Sequence, residues 1–372
     1  MSKQRKDFDS YFRAHVRELK PYVPVEALEI LAHRHGLDPA SVSKLDFNEN
    51  PYGPSPAVHE ALAILPHIHL YPDPLARELL AELSDYTGVE ESRILIGSGA
   101  DEIISLLVSL FVEPGDMILD LVPTYSMYGG VTLQHAGRVR SVERDASWRV
   151  DVRATLEALR DGAKMVWVCS PNNPTGSLAT QEEVVPLLET GVPVVVDEAY
   201  HEFSRHTFAP LLDTYPNLII MRTFSKLAGL AGLRVGYVLA NEQVIEQARK
   251  IKLPFNTTVA SQAAALAALR DRPRLQENLT AILDERERMA RLLREQGELT
   301  PYPSDANYLL CEARGDARLL HAGLAAEGVF VRYFPKPRID NCLRISVGRP
   351  EDTDRLVAAL NRLAPRQEAV GA

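Results

Sequence analysis

Between residues 93 and 240, short runs of apolar and β-branched residues alternate with segments of helical pattern. The runs RILIGSG, DMILDLVP, KMVWVCS, VPVVVDEAY and NLIIMRTFSK are almost continuously apolar rather than alternating. Continuous apolar runs are typical of parallel strands that are covered on both faces. The sequence therefore predicts an α/β fold, with a mostly parallel sheet that carries helices on both faces.

Beyond about residue 255 the chain has a different pattern. The segment 258–297 is rich in Ala, Leu, Arg and Glu, which favours helix, with Pro273 as an interruption and Gly297 as a helix end. The runs that follow predict a strand, a helix, two strands and a helix. We therefore predict three parts: an N-terminal arm with part of a small domain (1–49), a large domain (50–255), and a linker helix with a smaller α+β C-terminal domain (256–372).

The charge balance limits the class of partner. The 372 residues carry a formal net charge of −9, which argues against a surface for nucleic acid or an anionic membrane. The longest apolar run, IISLLVSLFV, is too short to span a bilayer, and the N-terminus lacks the apolar core of a signal peptide. A small anionic ligand would need its own local cluster of cations.

The cysteines and histidines predict neither disulfides nor a metal site. Cys169, Cys311 and Cys342 are odd in number and lack CxxC spacing, which indicates reduced thiols and a cytoplasmic location. In HEFSRH the second histidine, His206, follows His201 by five residues, whereas a zinc-binding helix needs a spacing of four.

The stretch GSGADE, at 97–102, joins a predicted strand to a predicted helix. Free backbone N–H groups and the positive end of a helix dipole would meet there, which suits a phosphate, although a plain tight turn has the same sequence features. Glu102 stands where a dinucleotide-binding loop has its third glycine, which disfavours a dehydrogenase.

Two polar residues follow buried strands at positions where parallel sheets bind ligands. Asn173, in CSPNNPTG, can donate and accept hydrogen bonds with a ligand. The Pro, Asn and Gly residues of this segment are also typical of an ordinary structural loop. Asp197, in VPVVVDEAY, is either a helix N-cap or a carboxylate that holds a protonated ring nitrogen.

A lysine at the end of the last predicted strand of this series needs an explanation. Lys226 follows Ser225 and precedes a run of Gly, Ala and Leu that leads to Arg234. A loop lysine beside a structural arginine would suffice if these residues stood alone, but a buried ammonium is costly unless it is paired or chemically used. With the glycine turn and Asp197, they supply the phosphate site, ring-nitrogen partner and amine that pyridoxal phosphate requires.

Taken together, these motifs resemble a known family. The set SGADE, PTYSMY, CSPNNPTG, DEAYHEF, RTFSKLAGLAGLRVGY, ANYLL and CLRISVG is similar to the fold-type I pyridoxal-phosphate aminotransferases, and within them to the histidinol-phosphate aminotransferase family. The resemblance extends from VRELKPY to the last helix. It implies that pyridoxal 5'-phosphate is the cofactor and that the large domain binds it.

The resemblance also implies roles for residues around the cofactor ring. Lys226 would form a Schiff base with the cofactor and afterwards move a proton between substrate and cofactor carbons. Asp197 would keep the ring nitrogen protonated, Asn173 and Tyr200 would bond the ring hydroxyl oxygen, and Tyr125 would stack on the ring.

For the cofactor phosphate, the resemblance implies a site at the start of a helix. The backbone of Gly99, Ala100 and Asp101 would bind it, with Ser225 and Arg234 adding a hydroxyl and a guanidinium. Tyr71 matches a tyrosine that reaches the phosphate from the partner subunit, which implies a homodimer with shared active sites.

At the substrate end, Arg344 and Arg332 match two arginines that bind the phosphate of the substrate, and Tyr22 matches a tyrosine beside them. Asn48 and Asn307 match positions in the same cleft. Two guanidiniums suit a phosphate dianion better than a single carboxylate. Departures from the family pattern after Tyr22 and at Tyr333 leave aromatic or other amino acids open as substrates.

The implied activity is transfer of an amino group from L-histidinol phosphate to 2-oxoglutarate, a step of histidine biosynthesis. Two alternatives stay open: an aromatic amino-acid aminotransferase that uses Arg344 for the carboxylate, and a threonine-phosphate decarboxylase. A ligand-sensing regulator without catalysis is disfavoured, because the short N-terminal arm has no room for a DNA-binding module.

Overall fold

The computed structural model describes residues 8–21 and 26–364 of the chain. The helices in these ranges are α1 (Ala14–Glu18), α2 (Leu28–Arg34), α3 (Pro56–Ala63), α4 (Arg77–Thr87), α5 (Gly99–Phe111), α6 (Met127–Gln134), α7 (Val152–Arg160), α8 (Gln181–Leu188), α9 (His201–Ser204), α10 (Glu242–Ile251), α11 (Val259–Arg270), α12 (Arg272–Gln296), α13 (Ala317–Ala326) and α14 (Pro350–Leu363). Short 3₁₀ helices lie at Phe8–Tyr11, Pro39–Ser41, Glu91–Arg93, Ala209–Asp213 and Ala231–Leu233.

The strands form two sheets. They are β1 (Ser43–Leu45), β2 (Ile94–Gly97), β3 (Met117–Val122), β4 (Arg138–Glu143), β5 (Ala163–Cys169), β6 (Val194–Asp197), β7 (Leu218–Thr223), β8 (Gly236–Ala240), β9 (Leu299–Pro301), β10 (Tyr308–Ala313), β11 (Val329–Tyr333) and β12 (Cys342–Ser346). The larger sheet has the order β2-β8-β7-β6-β5-β3-β4, and the smaller has the order β1-β11-β12-β10-β9.

The larger sheet is parallel except at one strand. β4, β3, β5, β6 and β7 run parallel, whereas β8 is antiparallel to both of its neighbours, β7 and β2. The central strands β5, β6 and β7 are buried along almost their whole length, because helices cover both faces. The predicted mostly parallel α/β fold is therefore confirmed.

The carboxyl ends of the parallel strands meet at one edge of the larger sheet. Cys169 pairs with Asp197, and Asp197 pairs with Met221 on β7, two residues before that strand ends at Thr223. Lys226 follows β7 by three residues. The motifs that are far apart in sequence are thus neighbours at this edge.

The smaller sheet joins the two ends of the described chain. β1 pairs in parallel with β11, where Ser43 lies opposite Val329, and the other pairs of this sheet are antiparallel. The boundaries predicted at 49 and 255 stay a prediction, but the sheet shows that residues 43–45 belong structurally with the C-terminal strands.

The helical segment predicted over 258–297 is interrupted at Asp271, two residues before Pro273, and ends at Gly297 as predicted. Asp271 separates α11 from α12, and its carboxylate accepts from the Arg274 N–H at 3.4 Å, while Pro273 lies in the first turn of α12. Gly297 ends α12 in the left-handed conformation at φ 88°. Across the ranges described, no helix is both long and apolar enough to cross a bilayer.

Candidate active site

A cavity of about 510 Å³ opens at the carboxyl edge of the larger sheet, where the smaller sheet meets it. Its wall includes most of the site residues predicted from the sequence: Asn48, Ala100, Asp101, Tyr125, Asn173, Asp197, Tyr200, Ser225, Lys226, Arg234, Arg332 and Arg344. The edge of an α/β sheet is where ligands bind in this architecture. The structure therefore gathers residues from both sheets around one cavity.

The amine of Lys226 lies in the wall of this cavity. Its Nζ donates a hydrogen bond to the Phe47 backbone carbonyl at 3.0 Å and lies 5.6 Å from the centre of the Tyr200 ring. Burial, followed by the nearby Arg344 guanidinium, lowers the pKa of Lys226 to about 8. With this pKa about a tenth of the amine is neutral, and so nucleophilic, at pH 7, far more than for an ordinary lysine.

The carboxylate of Asp197 is 4% exposed and is held at both oxygens. Its Oδ2 accepts a hydrogen bond from the Tyr128 hydroxyl at 2.5 Å, and its Oδ1 accepts from the Ala199 N–H at 3.0 Å. Burial raises its pKa to about 6, although the Tyr128 hydrogen bond opposes that rise. With a pKa of about 6 this carboxyl is mostly ionised at neutral pH, and a cation in its site would lower that pKa further.

A chain of polar contacts links the two sheets across the cavity wall. Arg344 Nη1 donates to Asn173 Oδ1 at 2.7 Å, and Arg344 Nη2 donates to the Asp46 carbonyl. Asn48, at a left-handed φ of 56°, donates from its amide nitrogen to the Tyr200 hydroxyl at 3.1 Å. The polar groups that face the cavity are therefore fixed by partners from both sheets.

The start of α5, Arg234 and Ser225 lie together at one end of the cavity. Gly99 has a φ of +75°, which favours glycine, and a Cβ there would lie 2.6 Å from Arg234 Nη2, so a larger residue would displace the guanidinium from its present position. Arg234 Nη2 lies 3.0 Å from Asp101 Oδ2, and the Tyr125 hydroxyl donates to Asp101 Oδ1 at 3.1 Å. Ser225 lines the cavity beside them.

Arg332 and Arg344 lie directly opposite each other on β11 and β12. Both side chains line the cavity, and the Arg344 guanidinium lies 5.5 Å from the Phe334 ring while that of Arg332 lies 5.4 Å from it. Among the residues described, neither arginine forms an ion pair with a carboxylate. Paired like charges on adjacent strands are unfavourable by themselves, so this arrangement suits a bound anion.

Three of the predicted site residues that the structure describes lie outside the cavity wall. Gly99 is buried beneath Arg234, and Asn307 is fully buried and donates to the Asn48 carbonyl at 3.0 Å, so it supports the wall from behind. Tyr71 is 82% exposed and stacks on Phe255 with ring centres 4.6 Å apart. Tyr22 falls outside the described residues.

Sequence reasoning missed two partners of the site. Tyr128 was not singled out, although it follows Tyr125 by three residues, a spacing that places both near one another at a helix start. The Phe47 carbonyl that accepts from Lys226 is a backbone group, and no side-chain motif marks it.

These groups fit pyridoxal 5'-phosphate. The cavity offers an amine of lowered pKa, a buried carboxylate that forms no ion pair with any of the described residues, and a helix start with a glycine beside Arg234. Lys226 would hold the aldehyde carbon, Asp197 the ring nitrogen and the α5 start the phosphate. No group of three or more metal-binding side chains occurs in the part of the chain that the structure describes.

Comparisons with known proteins agree with this chemistry. A family model for aminotransferase class I and II matches residues 40–360. The histidinol-phosphate aminotransferase of Roseiflexus castenholzii is 43% identical over 362 residues, which cover 95% of this chain and 98% of that protein. The chloroplastic histidinol-phosphate aminotransferase of Nicotiana tabacum is 41% identical over 362 residues, which cover 96% of this chain and 88% of that protein.

A solved structure is also similar over almost the whole chain. The histidinol-phosphate aminotransferase of Sinorhizobium meliloti, in complex with pyridoxal-5'-phosphate, superposes with a TM-score of 0.87 at 30% identity and covers 95% of this chain and 99% of its own. The family and cofactor predicted from the motifs are thereby confirmed. The chain belongs to the class I and II aminotransferases and, within them, to the histidinol-phosphate aminotransferase family, whose members are transaminases that use pyridoxal 5'-phosphate.

Proposed function

We propose that this protein transfers an amino group from L-histidinol phosphate to 2-oxoglutarate, giving imidazole acetol phosphate and L-glutamate, as a step of histidine biosynthesis. The assignment of the substrate rests on the pair Arg332 and Arg344, which lie opposite each other and line the cavity. Two guanidiniums can offer two forked sets of donors to a phosphate dianion. The relatives that are named for this substrate support the proposal.

The charges of the cavity agree with an anionic substrate. Although the chain carries a net charge of −9, the cavity wall also contains Lys336 and Lys226 beside the two arginines. Three of the four acids in this wall have cationic partners: Asp46 and Glu49 both contact Lys44, and Asp101 lies 3.0 Å from Arg234. Five cationic side chains against four acidic ones in the wall support an anionic substrate.

Pyridoxal 5'-phosphate, when bound, supplies a conjugated ring that accepts the electron pair left on the substrate carbon. In our proposal Lys226 Nζ takes the proton from the carbon that bears the donor's amino group and returns a proton during transfer. That step needs a neutral amine, which the pKa of about 8 provides. The Phe47 carbonyl, 3.0 Å from Nζ, orients the amine towards the cavity.

The other residues of the cavity wall would hold and orient the cofactor ring. Asp197 would carry the negative charge that keeps the ring nitrogen protonated, and Asn173 and Tyr200 would bond the ring hydroxyl oxygen. Tyr125 lines the cavity and would cover one face of the ring. Asn48 and Asn307 would position Tyr200 together, since Asn307 donates to the Asn48 backbone carbonyl and the Asn48 side chain donates to the Tyr200 hydroxyl.

We also propose a homodimer in which Tyr71 reaches the cofactor phosphate of the partner subunit. Within its own subunit Tyr71 is 82% exposed and lies outside the cavity wall. Large exposed apolar side chains cluster nearby in sequence and around Phe255: Ile64, Ile68, Leu70, Leu75, Ile251 and Leu253. An exposed apolar surface of this kind favours a protein interface.

The proposed location is the cytoplasm. Cys169, Cys311 and Cys342 are all buried and unpaired in the structure, as expected in a reducing compartment. Fractionation of cells that express the protein at its native level would test this location.

One experiment tests the substrate. The cofactor-loaded protein is mixed separately with histidinol phosphate, phenylalanine and threonine phosphate, and the cofactor absorbance and released carbon dioxide are recorded. We expect rapid loss of the lysine-bound absorbance with histidinol phosphate, without carbon dioxide. A faster reaction with phenylalanine would favour the aromatic aminotransferase, and carbon dioxide from threonine phosphate would favour the decarboxylase.

A further inference from the structure

Tyr128 contacts the active-site carboxylate without being part of the cavity wall. Its side chain is fully buried, and its hydroxyl donates to Asp197 Oδ2 at 2.5 Å. The other carboxylate oxygen accepts from the Ala199 N–H at 3.0 Å. Asp197 itself lines the cavity, so Tyr128 acts on a cavity group from within the protein.

The position of this hydroxyl is set by ring packing. The Tyr128 ring stacks on Trp167 with centres 4.6 Å apart and planes 4° apart, and both rings are fully buried. Trp167 lies on β5, whose next-but-one residue, Cys169, pairs with Asp197 on β6. The Tyr128 hydroxyl and the Asp197 carboxylate are therefore held in contact by two adjacent strands and the helix that covers them.

Several charged and titratable groups face Asp197, and they act in different directions. Burial raises its pKa to about 6, and the neighbouring Glu198 raises it further, whereas the Tyr128 hydroxyl, the Ala199 N–H and the Lys226 amine lower it. Burial together with the Asp197 and Cys169 side chains raises the pKa of Tyr128 well above its ordinary value. Tyr128 therefore stays protonated and acts only as a donor.

We propose that Tyr128 is a positioning residue that keeps Asp197 a weak base, so that the proton shared with the cofactor stays on the ring nitrogen rather than on the carboxylate. This inference rests on the proposed role of Asp197 at the ring nitrogen. A carboxylate that accepts a strong hydrogen bond holds its charge more readily. Without the Tyr128 hydroxyl the proton would shift from the ring nitrogen to Asp197, and the ring would become a poorer electron acceptor.

The size of the effect follows from the type of bond. Loss of a hydrogen bond to a charged group corresponds to about one to two pKa units. We therefore expect the equilibrium between ring-protonated and carboxyl-protonated forms to shift about tenfold to a hundredfold in Tyr128→Phe. Phenylalanine keeps the ring that stacks on Trp167, so the packing is retained.

The test uses the holoenzyme loaded with pyridoxal 5'-phosphate that is ¹⁵N-labelled at the ring nitrogen. The ¹⁵N chemical shift separates a protonated from an unprotonated ring without any turnover. The variants are Tyr128→Phe, Asp197→Asn as the unprotonated reference, and Tyr237→Phe as a control that removes another buried hydroxyl outside the cavity wall. We expect the Tyr128→Phe signal to move towards that of Asp197→Asn, and the Tyr237→Phe signal to match the native one.

The outcomes separate this inference from the proposed function. A native ¹⁵N signal in Tyr128→Phe, together with a shifted signal in Asp197→Asn, would overturn the role of Tyr128 and leave that of Asp197 intact. A native signal in Asp197→Asn would overturn both. If Tyr128→Phe does not fold, a ring-fluorinated tyrosine at 128, whose hydroxyl is a stronger donor, should move the signal further towards the protonated form, and no movement would contradict the inference.

Discussion

Lys226 Nζ lies 3.0 Å from the backbone carbonyl oxygen of Phe47, a residue that follows the strand β1 by two positions. The amine at the edge of the larger sheet is thus oriented by a backbone group next to the smaller sheet. A carbonyl oxygen can accept a hydrogen bond from the amine in either of its charge states, and it brings no negative charge to the site. The lysine can therefore be held in place while burial keeps its pKa low.

The pH dependence of cofactor capture should report this pKa. In the cofactor-free protein, a pKa of about 8 leaves about one amine in ten neutral at pH 7, whereas the ordinary value of 10.5 would leave about one in three thousand. We expect the rate of capture, followed by absorbance, to rise with pH up to a midpoint near 8. Lys226→Ala should capture nothing and lose at least about a thousandfold in turnover, and a midpoint near 10 would contradict the mechanism.

Arg332→Ala should weaken the phosphorylated donor selectively. Loss of one guanidinium from the pair removes charge-assisted bonds to the phosphate, so we expect KM for histidinol phosphate to rise about a hundredfold. KM for phenylalanine should change by less than about threefold by the same reasoning. Steady-state kinetics with both donors checks this, with Arg153→Ala as a control, since that arginine is 90% exposed on α7. Equal losses for the two donors would count against the phosphate role.

Gly99→Ala should weaken binding of the cofactor through its phosphate. The new Cβ would lie 2.6 Å from Arg234 Nη2, and the φ of +75° disfavours alanine as well. We expect Kd for pyridoxal 5'-phosphate to rise at least about tenfold, with little change in Kd for pyridoxal, which lacks the phosphate. Gly130→Ala is the matched control, because no atom lies within 4 Å of its Cβ position.

Mixed dimers test whether Tyr71 serves the partner subunit. Tyr71→Ala should reduce turnover even though Tyr71 is absent from the cavity wall of its own subunit. When Tyr71→Ala and Lys226→Ala proteins are unfolded, mixed and refolded together, half of the dimers contain one intact site. We expect recovery of about a quarter of the native activity, as symmetric pairing requires. Activity no higher than that of the separate variants would show that Tyr71 acts within its own subunit or not at all.

Asp120, on β3, should make the protein less stable as pH rises. Burial raises its pKa to about 6, above the ordinary 3.8, so the folded state binds the proton more tightly than the unfolded state. The contribution of protonated Asp120 to the free energy of unfolding is complete below about pH 4 and is lost as the pH rises through 6. Asp120→Asn should therefore be more stable than the native protein by about 1–3 kcal/mol at pH 7, but not at pH 4. Denaturant unfolding at both pH values measures the difference.

Polar residues at or just after the ends of buried strands can be recognised in the sequence, because they interrupt runs that are otherwise apolar. Asp197 and Lys226 stand out in this way, and the structure places both in one cavity. The fold class, the family and the cofactor were predicted and are confirmed. The roles of the individual site residues, and the boundaries at 49 and 255, stay predictions.

Contacts that depend on register or on backbone groups were not predictable. The resemblance assigned Arg332 and Arg344 to one substrate phosphate, but not their position directly opposite each other, because strand register is set by tertiary packing. The carbonyl of Phe47 has no side-chain signature. Asn307 matched a cleft position, but its side chain lies behind Asn48 rather than in the cavity wall. A match to a motif does not indicate whether a residue lines the cavity or supports it from behind.

The pairing of β1 with β11 has a consequence for synthesis on the ribosome. Strands β2 to β8 can form the larger sheet once residue 240 has emerged, but Ser43 finds its partner Val329 only much later. Until then the segment that supplies Phe47 and Asn48 has no sheet to join. We therefore expect Lys226 to lack its hydrogen-bond acceptor, the Phe47 carbonyl, in the nascent chain until the strand β11 has left the exit tunnel.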